Sequence, residues 1–574
     1  MTTLSKAGKV KEESKKTIIE SLIKIYKDET IAYRALNLIE ERFQKYEPRD
    51  IKEKWLTEKD SILITYGDSL QKKDSKGINV LHEFLNKYVG KAISTVHILP
   101  MYPYTSDDGF SVVDYKMIDS KLGTWEDVNN LAKDYDLMFD AVINHISKSS
   151  NWFQKFLALE EPYKGFFLVA DPSEDYSQVV RPRALPLLTP FETKDGTKYV
   201  WTTFSDDQID LNYNSIELLV EILDVLVTYS MNGAKFIRLD AIGYLWKELG
   251  TTCIHLPQTH EIVKLIRKVL DIYAPGTMII TETNVPHKEN ISYFGNGSDE
   301  AHLVYQFALP PLTMFTLLKG DATKLMGWLK SLEPYNSHTS FLNFLSSHDG
   351  IGIRPTEGIL TDIERQFLVD TTLKHGGEVS FKDNGDGTKS PYELNINYQD
   401  ALAGPEDSDE IRIRRFLAAQ TILLSLKGMP GIYIHSLLGS RNDYYGKTTS
   451  GIPRRINREK LNVENLEAAL NSDTNRRKIF DELIRMLTIR SKHSAFSPVA
   501  SQEILELDFR VFAIIRKNED TGEVIYVLIN VSNEDITLEL SNLRGRDLLS
   551  GITIQSKVTL KGLQPMWIHL EHEI

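Results

Sequence analysis

The chain has 574 residues, of which 41% are hydrophobic and 26% charged, as expected for a globular protein with a large core and attached modules. Its formal net charge of −13 argues against non-specific binding to nucleic acid or to an anionic membrane surface. Cys253 is the only cysteine, which excludes an internal disulfide and a cysteine-based metal site.

Residues 1–60 are predicted to form a helical N-terminal extension. Ile18, Ile19, Leu22, Ile23 and Ile25 recur near helical spacing among lysines and glutamates. The first part of this segment is charged throughout and lacks the apolar stretch of a signal peptide. No window of the chain approaches the roughly 20 apolar residues of a membrane span. We therefore expect a cytoplasmic protein.

Eight short apolar runs follow, and helical segments separate several of them. The runs are Ser61–Tyr66, Ile93–Leu99, Leu137–Ile143, Ala234–Leu239, Thr277–Thr281, Ala301–Phe307, Ser340–Leu345 and Gly431–His435. Strands that alternate with helices in this number predict an α/β fold, specifically a (β/α)8 or TIM barrel.

Two connections are too long for plain barrel loops and are expected to be inserted domains. Residues 147–211 follow the third strand, and residues 350–430 follow the seventh. Long loops are usually functional, and in this fold they lie on the catalytic face. The predicted barrel then consists of residues 61–146, 212–349 and 431–498. The last segment, 499–574, contains short strands separated by turns and is predicted to be a C-terminal β-sandwich.

Polar side chains interrupt the fourth apolar run at its end. Arg238 and Asp240 are two residues apart, so the period of a strand places both on the same side. A carboxylate held beside a guanidinium stays ionised at neutral pH and can attack carbon. Taken alone, the pair is equally compatible with a structural ion pair.

Further carboxylates and histidines follow the neighbouring strands. His145 follows the third strand, Glu282 the fifth, and His348 and Asp349 the seventh. Catalytic groups of such a barrel lie at the carboxyl ends of its strands, and packing does not explain this cluster. Paired carboxylates suit glycoside cleavage, because one attacks the anomeric carbon while the other protonates the leaving oxygen.

Four motifs resemble the signature regions of the alpha-amylase superfamily, in the same order along the chain. They are DAVINH at 140–145, FIRLDA at 236–241, ITETN at 280–284 and SSHD at 346–349. The segments RPRALP, VWTTFS and RINR are similar to the sucrose phosphorylase-like branch, and this resemblance covers nearly the whole chain beyond residue 60. The N-terminal extension and Ile254–His260 look more like the glucosylglycerate, glucosylglycerol and sucrose 6'-phosphate phosphorylases of that branch.

The resemblance implies a role for each matching residue. Asp240 would be the nucleophile that forms a β-glucosyl-enzyme, Glu282 the general acid and base, and Asp349 the transition-state stabiliser. The residues expected to hold the glucosyl unit are Asp107, His145, Arg238, His348 and Arg458, with Phe110 and Phe204 as an aromatic platform. Arg183, Tyr392 and residues near Arg458 would face the phosphate or the acceptor, and Glu393 lies on the same side. Tyr244 completes the expected substrate-binding set.

Two positions depart from the sucrose-cleaving members of the branch. Asn284 stands where those members have a histidine, and Glu393 stands where they have a glutamine. Both positions serve the acceptor or phosphate side, so the resemblance supports the donor side of the site and leaves the acceptor open.

The sequence thus predicts a retaining α-glucoside phosphorylase, a glycosyltransferase that converts a small glucoside and phosphate into α-D-glucose 1-phosphate. The preferred glucoside is 2-O-α-glucosyl-D-glycerate, because Arg454 and Arg455 offer a fork for a carboxylate. Sucrose 6'-phosphate, glucosylglycerol and sucrose stay open as donors. Two different functions also stay open: an amylase-type hydrolase or transglucosidase, and a catalytically silent amylase-like subunit.

No cofactor and no metal are expected, with inorganic phosphate acting as a co-substrate. Many amylases bind calcium near the residue that matches Asn144, whereas the sucrose phosphorylase branch generally does not. The expected partners are the sugar and phosphate, without nucleic acid or membrane. The expected assembly is a monomer or a homodimer.

Overall fold

A closed barrel of eight parallel strands forms the centre of the molecule. The computed structural model describes residues 3–46, 55–182, 185–332, 336, 338–384, 388–472 and 474–571. The barrel strands are β1 (Ile62–Thr65), β2 (Thr95–Ile98), β3 (Asp136–Ala141), β4 (Ala234–Leu239), β5 (Met278–Thr281), β6 (Leu303–Tyr305), β7 (Ser340–Phe344) and β8 (Met429–Tyr433). Each pairs with its neighbours in chain order and β8 closes on β1, which confirms the barrel predicted from the apolar runs.

The barrel strands are buried along nearly their whole length, which explains why they read as continuous apolar runs. Three ionisable residues break the apolar pattern and are nevertheless almost fully buried: His97 on β2, Asp140 on β3 and Arg238 on β4. Strand pairing places Asp140 directly beside Arg238. Because a buried charge is costly unless it is paired, these residues identify a polar network inside the barrel.

Helices connect the strands and cover the outside of the barrel. They are α1 (Thr3–Tyr26), α2 (Glu29–Phe43), α3 (Gly77–Phe84), α4 (Trp125–Leu131), α5 (Asn151–Leu157), α6 (Ile216–Met231), α7 (Pro257–Tyr273), α8 (His287–Asn290), α9 (Leu309–Lys319), α10 (Thr323–Ser331), α11 (Asp362–Lys374), α12 (Tyr398–Leu402), α13 (Asp409–Ser425), α14 (Ile434–Leu437), α15 (Tyr444–Ser450), α16 (Val463–Leu470) and α17 (Asn475–Arg490). Within the described ranges, none of these helices has the length and apolar content needed to cross a bilayer.

The two N-terminal helices add a layer to the outside of the barrel. Helix α1 packs on α2 and α7, and α2 packs on α6. Ile18, Leu22 and Ile25 of α1 are buried in these contacts, and burying one such side chain contributes about 1.5–3 kcal/mol. Asp28 begins α2 by accepting a hydrogen bond from the Ile31 amide at 2.9 Å.

The two long connections carry short sheets of their own. After β3, the strand His145–Ser147 pairs with Gln208–Asp210, and Leu188–Thr193 pairs with Gly196–Trp201. After β7, a three-stranded sheet forms in the order Ile351–Gly352, Lys389–Asn395 and Glu378–Asp383. These pairings return distant residues to the ends of β3 and β7. The division of the chain into inserted domains at 147–211 and 350–430 stays a prediction.

The C-terminal segment forms one antiparallel sheet of six strands. They are β9 (Ser501–Ile504), β10 (Val511–Lys517), β11 (Val524–Asn530), β12 (Ile536–Asp547), β13 (Thr553–Leu560) and β14 (Pro565–Leu570). The predicted β domain is therefore present, as a half-barrel sheet in the order β9-β10-β11-β14-β12-β13 in place of two facing sheets. Its inner face joins the barrel core, where Trp567 Nε1 donates to Ser425 Oγ at 2.7 Å. Because α13 packs against β11, helices supply the cover that a second sheet would give.

Candidate active site

A solvent-open pocket of about 870 Å³ lies where the barrel strands end. Most of the predicted site residues line it: Asp107, Phe110, His145, Phe204, Asp240, Tyr244, Glu282, His348, Asp349, Tyr392 and Glu393. Arg238 and Arg458 lie behind this lining, with side chains 2% and 1% exposed. Arg183 lies outside the described residues, so its contact with phosphate stays a prediction.

Arg238 connects the carboxylates of three strands. Its Nη1 donates to Asp140 and, at 2.7 Å, to Asp240 Oδ1. Its Nη2 lies 3.7 Å from Glu282 Oε2. On the far side, His97 Nε2 lies 2.7 Å from Asp140 Oδ2. One buried guanidinium therefore fixes the carboxylate that follows β4 relative to the carboxylate that follows β5.

The same guanidinium acts on the pKa of both carboxyl groups, against the effect of burial. Burial raises the pKa of Asp240, and the Arg238 guanidinium acts against it. Burial also raises the pKa of Glu282, again opposed by Arg238. The contact at 2.7 Å makes Arg238 the group that favours the ionised form of Asp240. A raised pKa at Glu282 favours the proton that a general acid must carry.

A tight turn after β4 brings these two residues together. Ala241 adopts a left-handed conformation with φ 48° and ψ 35°, which costs a residue with a Cβ about 1–3 kcal/mol. Its amide then points at Glu282 and donates to Oε2 at 3.0 Å. The strain is thus coupled to the placement of the carboxylate.

Asp349 sits in a separate ion-pair network. Arg454 Nη1 lies 2.6 Å from Asp349 Oδ1, and the other edge of the same guanidinium holds Glu393 through bonds of 2.9 and 2.7 Å. Burial raises the pKa of Asp349, but Arg454, His348 and Arg458 outweigh it and hold that pKa well below its usual range. Asp349 is therefore ionised at neutral pH.

The side of the pocket that is expected to hold the glucosyl unit is built by residues that follow β2 and β3. His145 Nε2 donates to the Phe110 carbonyl at 2.9 Å, and Gln208 Nε2 donates to the same carbonyl at 3.0 Å. Gln208 Nε2 also lies 3.4 Å from Asp107 Oδ2. Gln208 lines the pocket but was not singled out from the sequence, because only the pairing of its strand with His145–Ser147 brings it there.

Aromatic rings give this side rigid walls. The rings of Phe110 and His348 stack with centroids 4.8 Å apart. Phe204 lies 5.2 Å from the ring of His145 and 5.4 Å from that of Tyr244. Burial lowers the pKa of His145, and it lowers the pKa of His348 to about 3. Both imidazoles are therefore neutral at neutral pH, and they form uncharged parts of the pocket lining.

Two of the arginines after β8 share one acid that was not singled out from the sequence. Asp108 accepts from Arg455 Nη2 at 2.5 Å and from Arg458 Nη1 at 2.6 Å. Arg458 Nε also donates to the His348 carbonyl at 2.7 Å. Together with the pairing of Arg454 to Glu393, these contacts mean that the expected fork of Arg454 and Arg455 is already engaged by acids of the chain.

A lysine lies beside Asn144, the residue that matches the calcium-binding position of many amylases. Lys247 Nζ lies 2.7 Å from Asp210 Oδ2 and donates to Asn144 Oδ1 at 3.0 Å. Asp210 is fully buried and also accepts from the Thr203 amide at 2.7 Å. The ammonium group thus supplies the positive charge that these oxygens need.

Lys247→Met should destabilise the protein, because it leaves Asp210 buried without its cation. Removing one partner of a buried ion pair typically costs about 3–5 kcal/mol of unfolding free energy. The measurement is the midpoint of thermal unfolding, with Lys91→Met as a control at an exposed lysine. Chelation of divalent cations should leave the midpoint of the unmodified protein unchanged. A midpoint that falls on chelation would contradict the role given to Lys247.

Comparison with known proteins identifies the family of this chain. The family model "Alpha amylase, catalytic domain" matches residues 67–353. Glucosylglycerate phosphorylase of Escherichia coli (strain K12) is 48% identical over 514 residues, covering 89% of this chain and 92% of that protein. Glucosylglycerate phosphorylase of Allomeiothermus silvanus is 48% identical over 559 residues, covering 97% and 99%. The crystal structure of sucrose 6F-phosphate phosphorylase from Thermoanaerobacter thermosaccharolyticum superimposes with a TM-score of 0.73 at 25% identity, covering 88% of this chain and 98% of that one. The chain belongs to the alpha-amylase family.

Proposed function

We propose that this chain is a retaining α-glucoside phosphorylase that transfers glucose from 2-O-α-glucosyl-D-glycerate to inorganic phosphate. The products are D-glycerate and α-D-glucose 1-phosphate. The observation that carries the proposal is 48% identity, over nearly the full length of both chains, to a protein named for this activity. The pocket supports the same reaction class, since Asp240, Glu282 and Asp349 all line it.

In the first half-reaction, Asp240 attacks the anomeric carbon of the glucosyl unit. The bond to the glycerate oxygen breaks, and Glu282 gives its proton to that oxygen as D-glycerate leaves. The geometry suits these roles, because Arg238, 2.7 Å from Asp240, favours the ionised form of that carboxyl group while burial favours a proton on Glu282. Asp349 is ionised and would stabilise the positive charge that develops on the sugar ring.

In the second half-reaction, a phosphate oxygen attacks the anomeric carbon of the β-glucosyl-enzyme. Asp240 leaves as a carboxylate, and Glu282 takes up the proton of the attacking phosphate. Two inversions give net retention of the α configuration. Phosphate must compete with water, so it needs a paired cation in an enclosed site. Arg183 is the predicted cation, and Arg458 offers an Nη2 that has no hydrogen bond among the described residues.

The other donors receive weaker support. By sequence alignment, sucrose 6(F)-phosphate phosphorylase of Thermoanaerobacterium thermosaccharolyticum is 29% identical to this chain, against 48% for the two glucosylglycerate phosphorylases. A silent amylase-like subunit is disfavoured because all three carboxylates line the pocket. The proposal further includes phosphate as a co-substrate without another cofactor, a cytoplasmic location, and a monomer or homodimer.

A phosphorolysis screen tests the donor directly. The purified protein is incubated with phosphate and, separately, glucosylglycerate, glucosylglycerol, sucrose or sucrose 6'-phosphate. We expect release of α-D-glucose 1-phosphate to be fastest from glucosylglycerate. A faster release from another glucoside would replace the acceptor in this proposal, and release of free glucose regardless of phosphate would identify a hydrolase.

Asp240→Asn should abolish both half-reactions, because the atom that bonds to the sugar is lost. Two rates are measured in the variant and in the unmodified protein. They are the rate of phosphorolysis of glucosylglycerate and the rate of hydrolysis of glucose 1-phosphate in a buffer without arsenate. Asp136→Asn, a change to a partly buried acid at the start of β3, serves as a control. Substantial activity in a folded Asp240→Asn protein would remove Asp240 from the nucleophile role.

Glu282→Gln should slow natural donors far more than α-glucosyl fluoride, whose leaving group needs little protonation. The pKa of Glu282 is raised, so its protonated form persists to higher pH, and loss of this proton lowers the rate on natural donors on the alkaline side. This alkaline limb should vanish with the fluoride donor. Equal losses on both donors would show that Glu282 is not the general acid.

A further inference from the structure

One arginine beside the pocket has little pairing with the rest of the chain. Arg354 begins the short 3-10 turn Arg354–Thr356, directly after the strand Ile351–Gly352. Its side chain is 16% exposed, and its ion-pair partner among the described residues is Glu357, at 3.8 Å and 45% exposed. Arg354 Nε is buried there without a hydrogen bond. Arg354 is thus weakly paired within the described chain, and its partly exposed side chain leaves a positive charge for an anion.

The turn that carries Arg354 lies against Tyr392 and Glu393, which are expected on the phosphate or acceptor side of the pocket. The Ile353 amide donates to the Tyr392 carbonyl at 3.1 Å, and Gly352 is paired with Glu393 in the sheet. A Cβ at Gly352 would lie 2.7 Å from Asn284 Oδ1, so the turn approaches that side chain closely. Asn284, Tyr392 and Glu393 all line the pocket.

The effect of Arg354 on the pKa values of neighbouring side chains agrees with this position of its guanidinium. Burial raises the pKa of the pocket residue Tyr244, as does Tyr392, while the charge of Arg354 acts in the opposite direction. Burial lowers the pKa of Lys382 on the strand Glu378–Asp383, and Arg354 lowers it further. Two cations therefore lie close together next to the pocket, with the half-exposed Glu357 as their nearby acid.

The other arginines at this rim already have partners. Arg454 is held by Asp349 and Glu393, while Arg455 and Arg458 share Asp108. An incoming carboxylate would have to compete there with acids that lie 2.5–2.6 Å from these guanidinium groups. At Arg354 it would compete with Glu357 alone among the described residues, and that carboxylate lies 3.8 Å away.

We propose that Arg354 binds the carboxylate of the acceptor and thereby selects glycerate over glycerol. The inference rests on the proposed function, since it assumes an acidic acceptor. Arginine suits the task because its planar donors bind a carboxylate by charge-assisted hydrogen bonds. Arg354 would then determine acceptor specificity, while the three carboxylates at the strand ends perform the chemistry.

The test uses the reverse reaction of the full chain, with glucose 1-phosphate as donor and either D-glycerate or glycerol as acceptor. Arg354→Met keeps a long side chain and removes the charge. Loss of a charge-assisted contact of about 1.5–3 kcal/mol predicts a rise of about ten- to a hundredfold in the KM for glycerate. Transfer to glycerol should change little, and Arg354→Lys should recover part of the glycerate affinity.

Lys382→Met is the matched control, because it removes the neighbouring charge and leaves Arg354 in place. An equal rise in the KM for glycerate in this control would mean that the general field of the two cations, and not a contact with Arg354, holds the acceptor. An unchanged KM for glycerate in Arg354→Met, or an equal loss with glycerol, would overturn the inference. If Arg354→Met does not fold, as judged by its thermal unfolding, the comparison is made with Arg354→Lys, whose glycerate KM should still rise while glycerol transfer is kept.

Failure of the proposed function is visible separately. In that case the unmodified protein would neither release glucose 1-phosphate from glucosylglycerate nor transfer glucose to glycerate. Failure of the inference alone would leave both activities intact in the unmodified protein and in Arg354→Met.

Discussion

The site depends on the buried guanidinium of Arg238. Arg238 is 2% exposed and contacts Asp140 and Asp240, with Glu282 at 3.7 Å. The cost of burying charges here is offset only because each has a partner, and removal of one partner leaves the others uncompensated. The pairing of β3 with β4 supplies this geometry, since it sets Asp140 beside Arg238. The fold and the chemistry of the pocket therefore rest on the same contact.

A second constraint links Glu393 to Asp349, and both residues line the pocket. Arg454 lies between Asp349 and Glu393, so the acid at position 393 balances a charge that also acts on Asp349. A glutamine at this position, as in the sucrose-cleaving members, would leave Arg454 with one acid fewer and the pocket more positive. The acid at Glu393 is thus part of the charge balance around Asp349.

Backbone strain is concentrated at the same rim. Ala241, Asp107 and Asp108 all adopt positive φ angles, and each lies next to a group that lines or braces the pocket. Gly109 follows with φ 111°, and a Cβ there would lie 2.8 Å from the Pro100 carbonyl, so only glycine fits. Such strain persists where the surrounding structure fixes the chain, as expected for a preorganised pocket.

The sequence by itself determined the barrel and the strand-end carboxylates that line the pocket, because both depend on local signals. Buried parallel strands give continuous apolar runs, and a polar residue at the end of such a run, such as Asp240 or Glu282, is visible without a structure. His97 is likewise visible in the sequence, as a polar residue inside the apolar run Ile93–Leu99. Only the tertiary structure decided which side chains pair with these polar residues. Gln208 and Arg454 reach the pocket through long connections, and no local pattern in the sequence specifies where those connections return. The single C-terminal sheet and the pairing of Lys247 with Asp210 likewise depend on contacts between segments far apart in the chain.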